Sequence, residues 1–139
     1  MNLNKIYNVY DIIKDRIPKT YPRPKLAFFE DERCMLTNNH VRPKKGENVL
    51  ALVSPATYTI NLPLSMTIEH ERANGTICSK TTSISKDTDE NIASILLHEI
   101  GHLYAGERYG YDSKQYHDEN YCDRFADRWV KTLIKEKLI

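Results

Sequence analysis

Residues 87–106, DTDENIASILLHEIGHLYAG, constrain the fold more than any other stretch of this chain. At about 100° of rotation per residue, with His98 at zero, His102 falls near 40° and Glu99 near 100°. Ile92, Ala93, Leu96, Ile100 and Leu103 gather between roughly 120° and 220° on the same wheel. The stretch therefore reads as an amphipathic helix whose apolar stripe needs a partner. Its start is expected near Asp87, with Glu90 three residues later as a capping-box acceptor, and its end near Gly106. The two histidines are not needed for packing, because the core face is already supplied.

A second helix is expected from about His117 to Lys137. Cys122, Phe125, Ala126, Trp129, Val130 and Leu133 share its apolar side, and Glu119 and Asp123 sit on or beside that side. Before these two helices the pattern changes. Ile6, Val9, Tyr10, Ile13 and Ile17 give a helix over 4–17 that Pro18 closes. LAFFE (26–30), NVLALVS (48–54) and TYTINL (57–62) read as strands, the last ended by Pro63. MTIEHE and TICSKTT flank Asn74-Gly75 as a hairpin, a dipeptide that accepts positive φ at both turn positions. An N-terminal helix, a small mixed or antiparallel sheet and two closing helices make an α+β domain, a single unit over residues 1–139. At 139 residues the chain is long enough to bury a real core.

Composition excludes several roles. The net charge of +1 gives no pull toward nucleic acid or an anionic membrane surface, so direct binding to either is not expected. Lys44-Lys45 is short enough to be a solvated loop. No apolar run approaches the roughly 20 residues that span a bilayer, and Asp11, Lys14, Asp15 and Arg16 break up the N-terminus. Cys34, Cys78 and Cys122 are widely spaced and form no CxxC pair, which argues against a disulfide framework and against thiolate zinc ligation. A reducing, cytoplasmic setting follows as the expectation.

The histidines carry the chemistry. Two imidazoles four residues apart on one helix can bind a single tetrahedral ion, and HExxH is the spacing of zinc sites whose glutamate serves as base. Glu99 is offset from the ligand pair, within reach of a water rather than of the ion. His70-Glu71 begins the same way but is followed by Asn74 in a hairpin, and is assigned no role. A catalytic zinc needs a third protein ligand. Glu119 is the expected one, with Asp123, one turn on, accepting a hydrogen bond from a ligand histidine. His117 is the alternative third ligand. A further donor is needed for the oxyanion of a tetrahedral intermediate. Of the nine tyrosines, Tyr104, Tyr109, Tyr111 and Tyr116 lie in or near the segment between the helices, and Tyr109 and Tyr111 are the preferred candidates.

HEIGH followed by ENYCDRFA resembles the ImmA/IrrE family of zinc metallopeptidases. That family's pattern is HE-x-x-H and then E-x-x-A-[ND]-x-F-A. Glu119, Asp123, Phe125 and Ala126 match it, with Cys122 in place of the small residue, and the likeness covers roughly residues 88–130. TYTINL resembles the strand that precedes the family's active helix. The chain departs from the family in the long segment 63–86 before that helix and in DRWVKTL where an LLMP-like ending is common. The resemblance implies a gluzincin-type peptidase with Zn2+ on His98, His102 and Glu119, a protein or peptide substrate, and limited cuts in a regulatory protein. Two further ideas follow from element order alone: the Tyr58–Leu62 strand as a platform for an extended peptide, and the hairpin at 66–82 as a roof over the cleft. A zinc-stabilised binding module without turnover is the competing reading, and an intact Glu99 weighs against it.

Overall fold

The structure is a computed structural model that describes residues 3–42 and 48–139; Lys44-Lys45 lies outside the described residues. Helix α1 (Asn4–Arg16) buries Ile6, Val9, Tyr10 and Ile13, the spacing that the periodicity requires. It stops because Ile17 turns extended before Pro18. The Arg23 guanidinium then covers the helix end, donating to the carbonyls of Lys14 (2.9 Å) and Ile17 (3.2 Å). Those acceptors would otherwise be orphaned there.

Strand β1 (Lys25–Asp31) runs straight into helix α2 (Glu32–Asn38). Asp31 is both the last strand residue and the helix N-cap, its side chain accepting from the Cys34 N–H at 2.8 Å. The remaining strands are β2 (Leu52–Ser54), β3 (Thr59–Glu71) and β4 (Ile77–Ser83). β3 is the spine of a mixed sheet. It pairs parallel with β1 on one side and antiparallel with β2 and then β4. A small mixed sheet with helices makes the α+β class expected from the element order.

Two strand boundaries differ from the expectation. β3 passes through Pro63 rather than ending there. β2 pairs as far as Asn61 and β4 begins at Ser65, so Pro63 lies opposite neither and its missing N–H removes no ladder bond on that side. β2 is only the last three residues of NVLALVS, because residues 48–51 line a cleft instead of pairing. The hairpin stands where Asn74-Gly75 placed it, but only Gly75 has positive φ (84°). Asn74 acts through its side chain, which accepts from the Thr76 N–H at 3.1 Å. The backbone of His70 pairs opposite Cys78 within this hairpin.

A 3-10 turn (Ile84–Lys86) leads into helix α3 (Asp89–Tyr109). The cap is Thr88, accepting from the Asn91 N–H at 3.1 Å, rather than Asp87 with Glu90. Asp87 instead binds the Thr88 N–H (2.9 Å) and the Asn91 side chain (2.8 Å). The helix also continues past Gly106, where a Cβ would collide with the Tyr111 ring; Gly110, at φ 100°, ends it. Helix α4 (Lys114–His117) is a single turn capped by Ser113, and helix α5 (Glu119–Lys135) is capped by the Asp118 side chain.

One core joins α1, α3, α5 and the inner residues Ile60 and Leu62 of β3. α3 is its centre: Ile92, Ala93, Leu96, Leu97, Ile100 and Leu103 are fully buried. Gly101 controls how closely α5 approaches. A Cβ there would lie 3.1 Å from the Phe125 ring and 3.4 Å from the Cys122 Cα. The bare glycine thus lets the two helix backbones come together beside the histidines. Among the described residues no helix is long and apolar enough to cross a membrane.

Candidate metal centre

His98 and His102 project from α3 toward the first turn of α5, with ring centroids 5.0 Å apart. Their hydrogen bonds set which nitrogen faces inward. His98 Nδ1–H donates to Asp123 Oδ1 at 2.8 Å, and His102 Nδ1–H donates to the Tyr116 carbonyl. In each ring this directs Nε2 to the same point. That point is occupied by the carboxylate of Glu119, Oε2 at 2.7 Å from His98 Nε2 and Oε1 at 3.3 Å from His102 Nε2.

The arrangement suits a divalent cation. With ligand bonds of about 2.1 Å, the edge of a tetrahedral site is about 3.4 Å. The 3.3 Å separation already matches. The 2.7 Å one needs only a small carboxylate rotation, and the Glu119 side chain is 69% exposed and free to make it. The His98 ring lies between two carboxylates, Glu119 at Nε2 and Asp123 at Nδ1. Both carboxylates are largely exposed, Asp123 at 64%, so the penalty for burying charge is not what holds them in place. Glu119 and Asp123, expected on or beside the apolar side of α5, face the histidines across a groove rather than a dry core.

His98, His102 and Cys122 also form a group whose ligand atoms lie within 4.8 Å of one another, so these three could hold a metal ion. The absence of a CxxC pair had set the cysteines aside, yet Cys122 follows Glu119 by three residues on the same helix and points inward. Its thiol is fully buried and pushed up to about 12, first by burial and then by the charges of Glu119, Glu99, Asp123 and Asp118. Glu119 offers a carboxylate oxygen to each of the two imidazoles from the same helix, three residues before Cys122.

Glu99 is only 7% exposed. Burial raises its carboxyl to about 7; the neighbouring His98 lowers it, Glu119 raises it, and a hydrogen bond from the Val53 N–H lowers it. A carboxyl brought close to neutrality beside two imidazoles can both take and return a proton.

These groups meet in a cleft of about 620 Å³, walled by residues 48–53, Ser94 and Ile95 on one side and by Tyr116, His117, Glu119 and Asp123 on the other. Tyr109 and Tyr111 do not line it. Tyr109 is exposed and packs against Tyr121, and Tyr111 packs on Tyr116 and over Gly106. Tyr116 is the tyrosine at the cleft, its ring 5.7 Å from that of His102, its phenol raised by burial and then by the Glu99 charge. No sequence signal ranked it first, because the one-turn helix that aims it is too short to read. His117 also lines the cleft and meets the Tyr116 ring edge-on, while Glu119 fills the space between the two Nε2 atoms.

The Tyr58–Leu62 segment is flanked by β1 and β2, so it offers no free edge. The hairpin does not roof the cleft; it walls a separate groove beside it. Comparison with protein-family models, with curated proteins and with solved structures returned no match.

Proposed function

We propose that this chain is a zinc-dependent metallopeptidase, with His98, His102 and Glu119 as ligands and Glu99 as general base. The observation that carries the reading is the Glu119 carboxylate meeting both Nε2 atoms while Asp123 and the Tyr116 carbonyl occupy the two Nδ1 atoms. These contacts support a common position for a cation between the two Nε2 atoms. Zinc is the metal of choice because two neutral imidazoles and one carboxylate form a tetrahedral set with a coordination place left for solvent.

Held by His98, His102 and Glu119, zinc would supply Lewis acidity that activates a water near neutral pH and polarises the scissile carbonyl. The chain's own groups do the rest. Glu99 takes the proton of the attacking water and delivers it to the leaving amine. Asp123 and the Tyr116 carbonyl keep the imidazoles in the tautomer that presents Nε2. The Tyr116 phenol is the candidate donor to the oxyanion, in place of Tyr109 and Tyr111. The likeness of HEIGH and ENYCDRFA to the ImmA/IrrE family supports the same assignment and suggests limited proteolysis of a regulatory protein.

Cys122 favours one second reading, a closed site of two histidines, a carboxylate and a thiolate that stabilises a non-catalytic binding module. The two separate cleanly. Incubating zinc-loaded protein with a peptide library, with and without chelator, should give chelator-sensitive cleavage that Glu99→Gln abolishes while zinc stays bound. His98→Ala and Glu119→Ala should lose zinc; Cys122→Ala should keep it. Zinc loss in Cys122→Ala together with no cleavage by the wild type would establish the second reading.

A further inference from the structure

Beside the metal cleft lies a second groove of about 570 Å³ between the β3–β4 hairpin and the start of α3. Its walls include Met66, Ile68, Thr82 and Ile84, and it shares Leu50 and Ile95 with the metal cleft, so the two depressions lie side by side across these residues. Ile95 precedes His98 by three residues, about 4.5 Å along the helix axis. An extended peptide advances about 3.3 Å per residue. A side chain entering the groove therefore belongs to a residue one or two positions from a bond held at the histidines. Leu50, on the divide, is 53% exposed, an apolar residue left in solvent where a substrate would cross.

We propose that this groove receives a large apolar side chain (Leu, Ile, Met or Phe) of the substrate polypeptide, and that Leu50 and Ile95 determine specificity. The inference rests on the peptidase reading for its biological meaning. The groove is nevertheless tested separately, by binding. Zinc-loaded Glu99→Gln is titrated with fluorescent decapeptides identical except for Leu or Ala at successive positions, and zinc-loaded wild type is given an equimolar decapeptide library.

Leu peptides should bind at least about tenfold tighter than their Ala counterparts at one position, the range that a lost apolar contact commands. Cleavage should be enriched within two residues of an apolar side chain. Thr82→Trp, which fills the groove, should erase the preference, and Leu50→Ala, at an exposed site that does not threaten folding, should reduce it about fivefold. Binding preference without any cleavage supports the groove and sinks the peptidase reading. Chelator-sensitive cleavage with no apolar preference does the reverse, and equal binding of Leu and Ala peptides overturns the groove. A dimer by light scattering that Leu50→Ala dissociates would show the groove covered by a second copy of the chain and overturn the inference.

Discussion

Asp123→Ala isolates the contact that fixes the His98 ring. The substitution removes a carboxylate oxygen 2.8 Å from His98 Nδ1 and leaves both proposed α3 ligands and Glu119 in place. The ring can then exchange tautomers, and part of the time Nε2 carries the proton and cannot bind a cation. Loss of such a partner lowers metal affinity about 10–100-fold. Here Asp123 is 64% exposed, so water already competes for the bond and replaces it after truncation. The effect belongs near the lower limit, about tenfold or 1.4 kcal/mol in zinc binding. Asp123→Asn keeps an acceptor oxygen without the charge and should lose less than Ala. Asp127→Ala, exposed one turn further along α5, is the control and should bind zinc like the wild type. Competition against a chromophoric chelator at fixed pH measures all four proteins, with thermal unfolding to confirm that each is folded. Wild-type affinity in a folded Asp123→Ala protein would refute the idea that this carboxylate orients a ligand.

Other predictions follow from neighbouring contacts. Gly101→Ala gains about 1 kcal/mol of helix propensity but drives a methyl against Phe125 at 3.1 Å. Overpacking of about 1–3 kcal/mol should exceed that gain, lowering Tm and weakening zinc binding together; a higher Tm with unchanged zinc affinity would contradict the close-approach argument. Tyr116→Phe should lower kcat about 10²–10³-fold with KM little changed, while Tyr109→Phe and Tyr111→Phe leave turnover near wild type; steady-state kinetics on one library peptide decides. In chelated protein the Glu99 carboxyl is raised from 4.5 to about 7 on folding. Its contribution to stability is therefore complete below about pH 4.5 and lost as pH rises through 7, a swing of about 3 kcal/mol. Glu99→Gln should flatten that part of the pH–stability curve, and urea melts across pH 5 to 8 that coincide for the two proteins would disprove the burial effect.

The long helices were legible because their apolar residues repeat over three or more turns. Ile6 to Ile13 in α1, Ile92 to Leu103 in α3 and Cys122 to Leu133 in α5 all lie on buried faces. α2 escaped notice because it is seven residues long and takes its N-cap from the last residue of β1. Pro63 misled because whether a proline ends a strand depends on which neighbour faces its nitrogen, and that register is set by β2 and β4 together. Within the site, spacing on one helix was readable and so was spacing within α5. The distance between the helices was not. It depends on Gly101 admitting α5, and on the Ser113 and Asp118 caps that steer the chain through α4. Tyr116 and Cys122 reach the site only through that folded path.

X-ray absorption at the zinc edge on the zinc-loaded protein tests the centre most directly. The ion should be four-coordinate with only nitrogen and oxygen neighbours at about 2.0–2.2 Å, its spectrum unchanged by Cys122→Ala and lost with Glu119→Ala. A sulfur neighbour at about 2.3 Å that disappears in Cys122→Ala would contradict that coordination and place the thiol in the ligand set.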